Sequence, residues 1–449
     1  MTTTNQIVAA IDIGTSKIVA IAGKKDELGK ITVLGYGEAE SNGVTHGSVQ
    51  NVGYVAAAIN KAVAKCKAAA NVDFKNVFVG IAGQNVRGVV YSHSKFIVNN
   101  LITQADVDQL TQEVYSINKE PGEEIIHVIP QNFSVDGHSV GLNPVGCNCK
   151  KLEGTFYVAV GDATSIANLR QAINITGLNI IKVILEPIAS ADAVLDDDEK
   201  EGGVMVFDIG AGTTDIAVYQ EKVLRTTSFV PFGGNSITND IKQAFSILAR
   251  QAEQLKVQFG SALSLSEFSN RIATLKGING RNTKEVSFTD LANVINARFD
   301  EILGGIAYQL DEAGFSKKLS AGIVITGGGA LLNSITQYVK FRLGMDVRIG
   351  TPKNIIPTTA DFLSPQYSTA AGLLIKGFEY LEVYVKQQQE KLKNEKVEAA
   401  VNTNLNGNAK PQTGKKTQET KTQSKKSGFF NRFKKWASEF LEDPEDTKM

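Results

Sequence analysis

Two segments of this chain, one near its start and one near its middle, repeat the same pattern. The first reads AIDIGTSKIVAI around Asp12, and the second reads VFDIGAGTTDIAVY around Asp208. Each combines an apolar strand, an Asp-Ile-Gly turn with small hydroxyl residues, and a second strand. One such turn is common, but two matched copies predict a chain of two similar halves, each with a strand-turn-strand hairpin at its front.

A third segment, IVITGGGALLNSI within Gly322–Ile335, predicts a strand, a glycine turn and a helix. Glycine lets a backbone approach a ligand closely and adopt positive φ, and turn N–H groups and hydroxyls suit phosphate oxygens. A glycine turn that opens a helix suits a nucleotide for the same reason. The candidate nucleotide-binding residues of the three segments are Gly14, Thr15, Ser16, Gly210, Gly212, Thr213, Thr214, Gly327, Gly328 and Gly329.

Two acidic residues, Asp12 and Asp208, occupy equivalent places in the two hairpins. Carboxylates that face phosphates indicate Mg²⁺, which takes one or two carboxylates together with phosphate and keeps several waters. We therefore expect both residues to hold Mg²⁺ through its waters. Lys17 either neutralises phosphate charge or is a solvated lysine at a strand end. The chain has no GxxxxGK[ST] sequence, which excludes a P-loop protein.

Composition limits the class of protein. The 449 residues are 42% hydrophobic, with 47 basic and 47 acidic residues, which argues against a dedicated nucleic-acid binder. No apolar run approaches the ~18 residues that cross a bilayer, and the first residues lack the features of a signal peptide. Three cysteines without paired spacing argue against a disulfide framework. We expect a soluble protein of a reducing compartment.

The order of strand-like and helical patterns predicts an α/β fold with helices covering the sheets. We expect a first domain from residues 6–83 and 161–202, interrupted by a small α+β unit over residues 84–160. A second domain follows over residues 203–385. Residues 386–427 predict an extension and a disordered linker, because the segment from about Asn402 is almost free of apolar residues.

The chain ends in a segment, residues 428–442, that predicts an amphipathic helix. Placed on a helical wheel, its aromatic and aliphatic residues fall within an arc of ~140°, and its charged residues fall outside that arc. An aromatic face beside a cationic face is typical of a helix that lies in a membrane surface. The candidate membrane-binding residues are Phe429, Phe430, Phe433, Trp436, Phe440 and Leu441, with Arg432, Lys434 and Lys435.

The order of these motifs resembles that of the actin-like ATPase superfamily, whose fold is a duplicated ribonuclease H-like domain. In that pattern Asp12–Lys17 and Asp208–Asp215 are the two phosphate motifs, and Gly327–Gly329 is the adenosine motif. Glu253 and Lys256 resemble contacts on the adenosine side, although they could equally be an ordinary surface pair. Glu186 resembles a residue that orients the water for hydrolysis, although it could be a helix-start carboxylate beside Pro187.

The inserted unit narrows the resemblance. Ile125–Gly137, Gly141–Gly146 and Lys151–Gly154 resemble the insertion of the FtsA family of cell-division proteins, with Cys147 where that family often has Met. Gly233–Asp240 resembles the loop after the second phosphate hairpin in the same family, which adds Gly233 to the nucleotide candidates. The terminal helix fits as well, so the resemblance covers essentially the whole chain apart from the linker.

This resemblance implies a function at the division site, on the cytoplasmic face of the cell membrane. Such proteins bind ATP with Mg²⁺, form actin-like protofilaments on anionic membrane and hydrolyse ATP weakly. They tether the tubulin-like protein FtsZ through its C-terminal peptide and recruit later divisome proteins, largely through the insert. The partner-binding subdomain would cover residues 233–322. Lys284 and Arg298 match basic positions used for partner or self-contact there, or are plain helix charges.

Three classes of function compete within the superfamily, because the fold alone does not determine function. A chaperone needs a substrate domain of ~200 residues after the core, and only a linker and a short tail follow here. A sugar or acetate kinase needs no disordered linker with an amphipathic end. A pilus-assembly scaffold resembling PilM shares the insert and stays as the alternative to an FtsA-like protein.

Overall fold

The computed structural model describes residues 6–264, 270–277, 283–316 and 318–405, with side chains described as far as Lys386. The chain begins with three antiparallel strands, of which the first is buried at the centre of a sheet. A small two-stranded hairpin and a long helix follow. These elements are β1 (Ile7–Ile13), β2 (Lys17–Lys25), β3 (Ile31–Glu40), β4 (Val44–Thr45), β5 (Ser48–Val49), α1 (Val52–Ala70) and β6 (Asn76–Ile81).

The insert forms a four-stranded antiparallel sheet with a helix against it. Its elements are β7 (Val86–Phe96), α2 (Gln104–Val114), β8 (Glu123–Val135), β9 (His138–Gly141) and β10 (Lys151–Asp162), in the sheet order β7-β10-β8-β9. Phe133 and Phe156 meet edge to face in a core separate from those of the two main sheets. Thr103 and Asp106 form a capping box at the start of α2, since each side chain accepts from the other's backbone N–H.

The chain then returns to the first sheet and crosses to the second domain. The connecting elements are α3 (Ala163–Ile175), β11 (Asn179–Leu185), α4 (Glu186–Val194) and α5 (Asp197–Gly202). The second domain contains β12 (Val204–Ile209), β13 (Thr214–Gln220), β14 (Val223–Val230), α6 (Gly234–Phe245), α7 (Ala249–Phe259), β15 (Ile272–Leu275), β16 (Lys284–Ser287), α8 (Phe288–Glu312), β17 (Ile323–Thr326), α9 (Ile335–Leu343), β18 (Val347–Ile349), β19 (Ile355–Ile356) and α10 (Ser368–Leu405).

The predicted duplication is confirmed by the strand pairing of the two main sheets. The first has the order β11-β6-β1-β2-β3-β19, and the second has the order β14-β13-β12-β17-β18. In each half the first strand pairs antiparallel with the second and parallel with a later strand that begins a new crossover. The α/β fold therefore consists of two matching sheets, and the two Asp-Ile-Gly turns lie at the same end of each.

Two elements from the end of the described chain bind the halves together. The helix α10 packs against the first domain, where Phe378 lies in the same apolar core as Val8 and Phe78. That core continues through α4 to Val206 of the second sheet. The short strand β19 pairs with β3, so the end of the second half completes the first sheet.

Several bounds differ from those expected. The glycine triplet leads into a short 3₁₀ turn, Gly328–Leu331, and the helix begins only at Ile335. The helix α10 continues to Leu405, so the first residues of the predicted extension are helical, including four of the predicted linker. The rest of the linker and the amphipathic helix at 428–442 lie outside the described residues. Within the described part, no helix is long and apolar enough to cross a membrane.

Candidate functional site

A deep cleft lies between the two main sheets, at the end where the hairpin turns meet. It has a volume of about 640 Å³. The cleft is lined by most of the residues that the sequence singled out, drawn from both halves of the chain. They are Asp12, Gly14, Thr15, Ser16, Lys17, Glu186, Asp208, Gly210, Gly212, Thr213, Glu253, Lys256, Gly327, Gly328 and Gly329.

The two turns are built alike. The N–H of Gly14 donates to the carbonyl of Lys17 at 3.1 Å, and the N–H of Gly210 donates to that of Thr213 at 2.9 Å. Positive φ was expected at these glycines, but neither they nor Gly212 adopt it. They are needed for close approach instead: a Cβ on Gly212 would lie 2.7 Å from the hydroxyl oxygen of Thr15 in the facing turn.

Gly327 is the glycine of the site that does require positive φ. Its φ is 83°, and a Cβ there would lie 2.1 Å from a carboxyl oxygen of Asp208. The glycine turn at Gly327 and the turn of the second hairpin are therefore in direct contact, which only a residue without a side chain permits.

Two predicted nucleotide contacts do not reach the cleft. Thr214 is fully buried, and its hydroxyl donates to the carbonyl of Phe232 at 2.9 Å. Gly233 lies beneath the second turn, where a Cβ would come within 2.6 Å of the carbonyl of Gly210. Successive residues of a strand point to opposite faces, so Thr214 at the start of β13 faces the core while Thr213 faces the ligand side.

Four carboxyl groups meet at the floor of the cleft: Asp12, Asp208, Asp215 and Glu186. Burial and the nearby Asp208 raise the pKa of Asp12 to about 7, although Lys17 opposes the shift. Burial and the same neighbour raise the pKa of Asp215 to about 7. Burial, then Asp12, raise the pKa of Glu186 well above its ordinary value. Without a bound ligand, the four carboxyl groups therefore have too little positive charge nearby to favour their ionised forms.

Asp208 has two hydrogen-bond donors that hold its carboxylate. The hydroxyl of Ser190 lies 2.7 Å from Asp208 Oδ2, and that of Thr369 lies 3.0 Å away. Burial raises the pKa of Asp208 above its ordinary value, and these two hydrogen bonds oppose that shift only in part. Because Ser190 is on α4 and Thr369 is on α10, the connecting helices orient the carboxylate of the second hairpin.

The acidic floor fits a hydrated divalent cation. Among the described residues, no three Asp, Glu, His or Cys side chains converge closely enough to hold a metal directly. Mg²⁺ commonly keeps several waters and is bound by one or two carboxylates together with phosphate. Asp12 and Asp208, on facing turns, are the residues placed to receive those waters.

Asp215 is a site residue that the motif comparison did not select. It lies across the second hairpin from Asp208, to which it is paired in register. The matching partner of Asp12 in the first hairpin is Val19. The comparison kept what the two copies share, so it passed over an acid present in only one. A buried strand position occupied by Asp was the available signal.

Glu186 opens α4 directly after β11, and its carboxyl group faces the cleft. Gly80 on the neighbouring strand makes room for it, since a Cβ there would lie 2.5 Å from Glu186 Oε1. Lys17 lies 3.5 Å from Glu38 and 3.8 Å above the ring of Tyr367. Its ammonium group therefore already has partners at the edge of the cleft.

The cleft is also lined by two apolar side chains and by a charged pair. Val257 and Leu331 line it while remaining 71% and 56% exposed. The ammonium nitrogen of Lys256 lies 2.7 Å from a carboxyl oxygen of Glu253 and 3.0 Å from the carbonyl oxygen of Gly234. Apolar side chains beside a polar pair are the kind of lining that small-molecule pockets commonly have.

The two predicted partner contacts each have an internal role. The guanidinium of Arg298 donates two hydrogen bonds to Asp240 and lies 5.2 Å from the ring of Phe232. The ammonium of Lys284 donates to the carbonyls of Phe245 and Ser246 at the end of α6. Both basic groups stabilise the subdomain itself, so a role in partner contact stays a prediction.

Comparison with known proteins places the chain among cell-division proteins. A family model described as cell division protein FtsA matches residues 205–372, and one described as the SHS2 domain inserted in FtsA matches residues 80–160. FtsA of Neisseria meningitidis serogroup B is 34% identical over 368 residues, which is 82% of this chain and 89% of that protein. FtsA of Escherichia coli K12 is 30% identical over 384 residues, 84% and 91% of the two chains.

Solved structures agree on the fold. The PilM–PilN type IV pilus biogenesis complex has a chain that matches with a TM-score of 0.62 at 14% identity, over 82% of this chain and 98% of that one. MreB5 of Spiroplasma citri bound to ADP matches with a TM-score of 0.53 at 14% identity, over 86% and 99%. Such low identity supports the actin-like fold alone, so the pilus-assembly alternative has less support than the relatives at 30–34% identity. The chain belongs to the FtsA family of bacterial cell-division proteins.

Proposed function

We propose that this protein binds ATP with Mg²⁺ in the cleft, assembles into actin-like protofilaments on the cytoplasmic face of the membrane, and tethers FtsZ there. The observation that carries the nucleotide part is the meeting of two matched phosphate-type turns over four buried carboxyl groups. Bound Mg²⁺ would supply positive charge between these carboxylates and the phosphates. The turns would bind the phosphates through N–H and hydroxyl groups, and Gly327–Gly329 would face the adenosine.

Hydrolysis is the smaller part of the proposal. Glu186 faces the cleft beside Asp12, where a carboxylate could orient a water toward a phosphate. Its raised pKa favours the neutral form in the free protein, and a bound cation would favour the ionised one. Glu186→Gln should therefore keep nucleotide binding and lower phosphate release.

The insert is the proposed surface for self-assembly and for later division proteins. Its outer end exposes apolar side chains that no neighbouring element covers in the described part of the chain, namely Phe96, Val98, Leu101, Leu142 and Val145. Monomeric proteins seldom expose such clusters unless a partner binds them. The FtsZ peptide is assigned to the subdomain of residues 233–322, on the family resemblance.

The nucleotide proposal is tested by thermal unfolding with and without Mg-ATP. A ligand that binds only the folded state raises the melting temperature by mass action. Wild-type protein should show this rise, and Asp12→Asn and Asp208→Asn should each reduce it, because each removes a charge from the metal side of the cleft. An equal rise in all three proteins would show that the hairpins do not hold the nucleotide.

The assembly proposal is tested by electron microscopy on an anionic lipid monolayer. Filaments should form with Mg-ATP and should require the terminal segment 428–442. Filaments that form equally well without that segment would contradict membrane attachment through the tail. Absence of filaments from the full chain under all nucleotide conditions would contradict the proposed assembly.

A further inference from the structure

The small hairpin β4–β5 reaches across the phosphate end of the cleft. Its strands pair Val44 with Val49 and Thr45 with Ser48, which leaves His46 and Gly47 as the two turn residues. Both have positive φ, 46° and 77°, as a type I′ turn requires. Histidine is among the few non-glycine residues that adopt positive φ with some frequency. The turn therefore places a polar ring at a position that most side chains avoid.

The ring of His46 contacts the other half of the molecule. Its Nδ1 lies 3.0 Å from the carbonyl oxygen of Gly212, in the second phosphate turn. A carbonyl only accepts, so Nδ1 carries the proton and donates. The next residue in the hairpin, Gly47, lies with its N–H 3.5 Å from the hydroxyl of Thr15. One short hairpin therefore touches both phosphate turns.

A neighbouring contact joins the halves at the same place. The backbone of Gly83 is hydrogen-bonded to the carboxyl group of Asp215. Gly83 packs directly on the hairpin, since a Cβ there would lie 2.4 Å from the carbonyl of His46. The backbone of the turn at His46 is therefore packed against Gly83, which is itself bonded to the second hairpin.

We propose that His46 is a latch on the nucleotide site, a positioning residue that holds the second phosphate turn closed against the first and so slows nucleotide release. This inference rests on the proposed nucleotide binding. The phosphate-facing N–H groups belong to the same turn whose carbonyl His46 holds. A turn that must move to free the phosphates has to break this bond first.

Two substitutions separate the hydrogen bond from the turn conformation. His46→Gly keeps positive φ and removes the donor. His46→Asn keeps both, because Asn also adopts this conformation and its amide nitrogen is as many bonds from Cα as His Nδ1. The full-length protein is loaded with Mg²⁺ and a fluorescent ATP analogue, and release is followed after addition of excess ATP.

Loss of one hydrogen bond should speed release from His46→Gly about five-fold, while His46→Asn releases at the wild-type rate. Without nucleotide, His46→Gly should melt only about 2–4 °C below the wild type, as loss of one hydrogen bond requires, and His46→Asn should melt with the wild type. Fast release that accompanies a much larger loss of melting temperature would show a merely structural role and overturn the latch. Wild-type release from His46→Gly, or equally fast release from both variants, overturns the latch. Failure of the wild-type protein to bind the analogue at all overturns the proposed nucleotide site and the latch with it.

Discussion

The acidic residues at the floor of the cleft are costly to the free protein. Burial leaves Asp12 and Asp215 with pKa values of about 7, so each is partly protonated near neutral pH. An ordinary Asp titrates near 4, hence the folded protein binds more protons than the unfolded chain between about pH 4 and 7. The stability conferred by these groups is present below that window and is lost as the pH rises through it.

We expect the ligand-free protein to lose stability as the pH is raised from about 5 to about 8, and Asp215→Asn to flatten this dependence. The reason is that the amide does not titrate. Urea unfolding of both proteins at several pH values measures how the free energy of unfolding depends on pH. Adding Mg²⁺ with ATP should reverse the sign, since the cation favours ionised carboxylates. A wild-type slope retained in full by Asp215→Asn would mean that other groups control the pH response.

Gly327 is the most constrained glycine of the site. Its φ of 83° and ψ of 175° belong to a region that only glycine populates, and its missing Cβ leaves room for Asp208. We expect Gly327→Ala to cost about 3 kcal/mol of folding free energy and to weaken nucleotide binding.

A matched control for that substitution is available at the end of α9. Gly344 also has positive φ, 69°, but no atom lies near the position of its missing Cβ. Gly344→Ala should cost only about 1–2 kcal/mol and leave nucleotide binding unchanged. Denaturant unfolding of both variants measures the difference. Equal costs would show that the contact with Asp208 contributes nothing.

At the scale of elements, an ion pair between two helices stabilises the subdomain of the second half. Arg298 on α8 is bidentate to Asp240 on α6, and both side chains are about three-quarters buried. Bidentate pairs of this kind are stronger than single surface contacts. The helix α8 runs to Glu312, which extends its buried face along β14.

A double-mutant cycle between Arg298→Ala and Asp240→Ala should give a coupling energy of about 1 kcal/mol in unfolding, after allowance for solvent screening. Binding of the FtsZ peptide should fall in both single variants if Arg298 acts through the shape of the subdomain. If only Arg298→Ala loses binding, then Arg298 contacts the peptide directly and Asp240 merely orients it. Zero coupling would contradict a structural role for the pair.

At the scale of the whole molecule, charges in the interior join the two halves behind the cleft. Asp192 on α4 is paired with Lys376 on α10 and Lys200 on α5, and both ammonium groups hold its pKa below the ordinary value despite burial. The insert is tied to the second half as well, because Gln131 donates to the carbonyl of Leu224 at 2.6 Å. Contacts of these two kinds therefore connect α4, α5 and α10 with one another and the insert with the second half.

The tail prediction follows from charge and amphipathicity alone. Trp436→Glu should release the protein from anionic liposomes and leave the Mg-ATP melting shift intact, because a charge replaces a large aromatic side chain of the apolar face. Each basic residue near an anionic surface contributes ~1 kcal/mol, so raised salt should weaken binding only in part. Co-sedimentation with liposomes measures both effects.

Asn431→Glu is the control, since it adds the same charge on the polar side of the helical wheel. It should weaken liposome binding less than Trp436→Glu does. Equal loss from both variants would show that net charge, and not an inserted aromatic face, governs attachment. Binding unchanged in Trp436→Glu would exclude this segment as the anchor.

Much of the fold follows from local pattern. The copies of Asp-Ile-Gly predicted the duplication because each hairpin is a short-range structure that its own residues specify. The Thr103 capping box and the opening of α4 at Glu186 are local features of the same kind. The family resemblance supplied the insert, which composition alone describes only as a change of character.

The remainder depended on contacts between residues far apart in sequence. Motif comparison passed over Asp215 because only one of the two copies carries this acid, and it could not place His46 against Gly212 because these two residues belong to different halves. The same reason explains Thr214, whose hydroxyl faces the core, and Arg298, whose charge is satisfied internally. The sequence determined which turns exist and what chemistry they carry. Only the packing of the two sheets decided which side chains line the cleft and which stabilise the structure around it. The burial that comes with this packing then decided the charge states of the acidic groups.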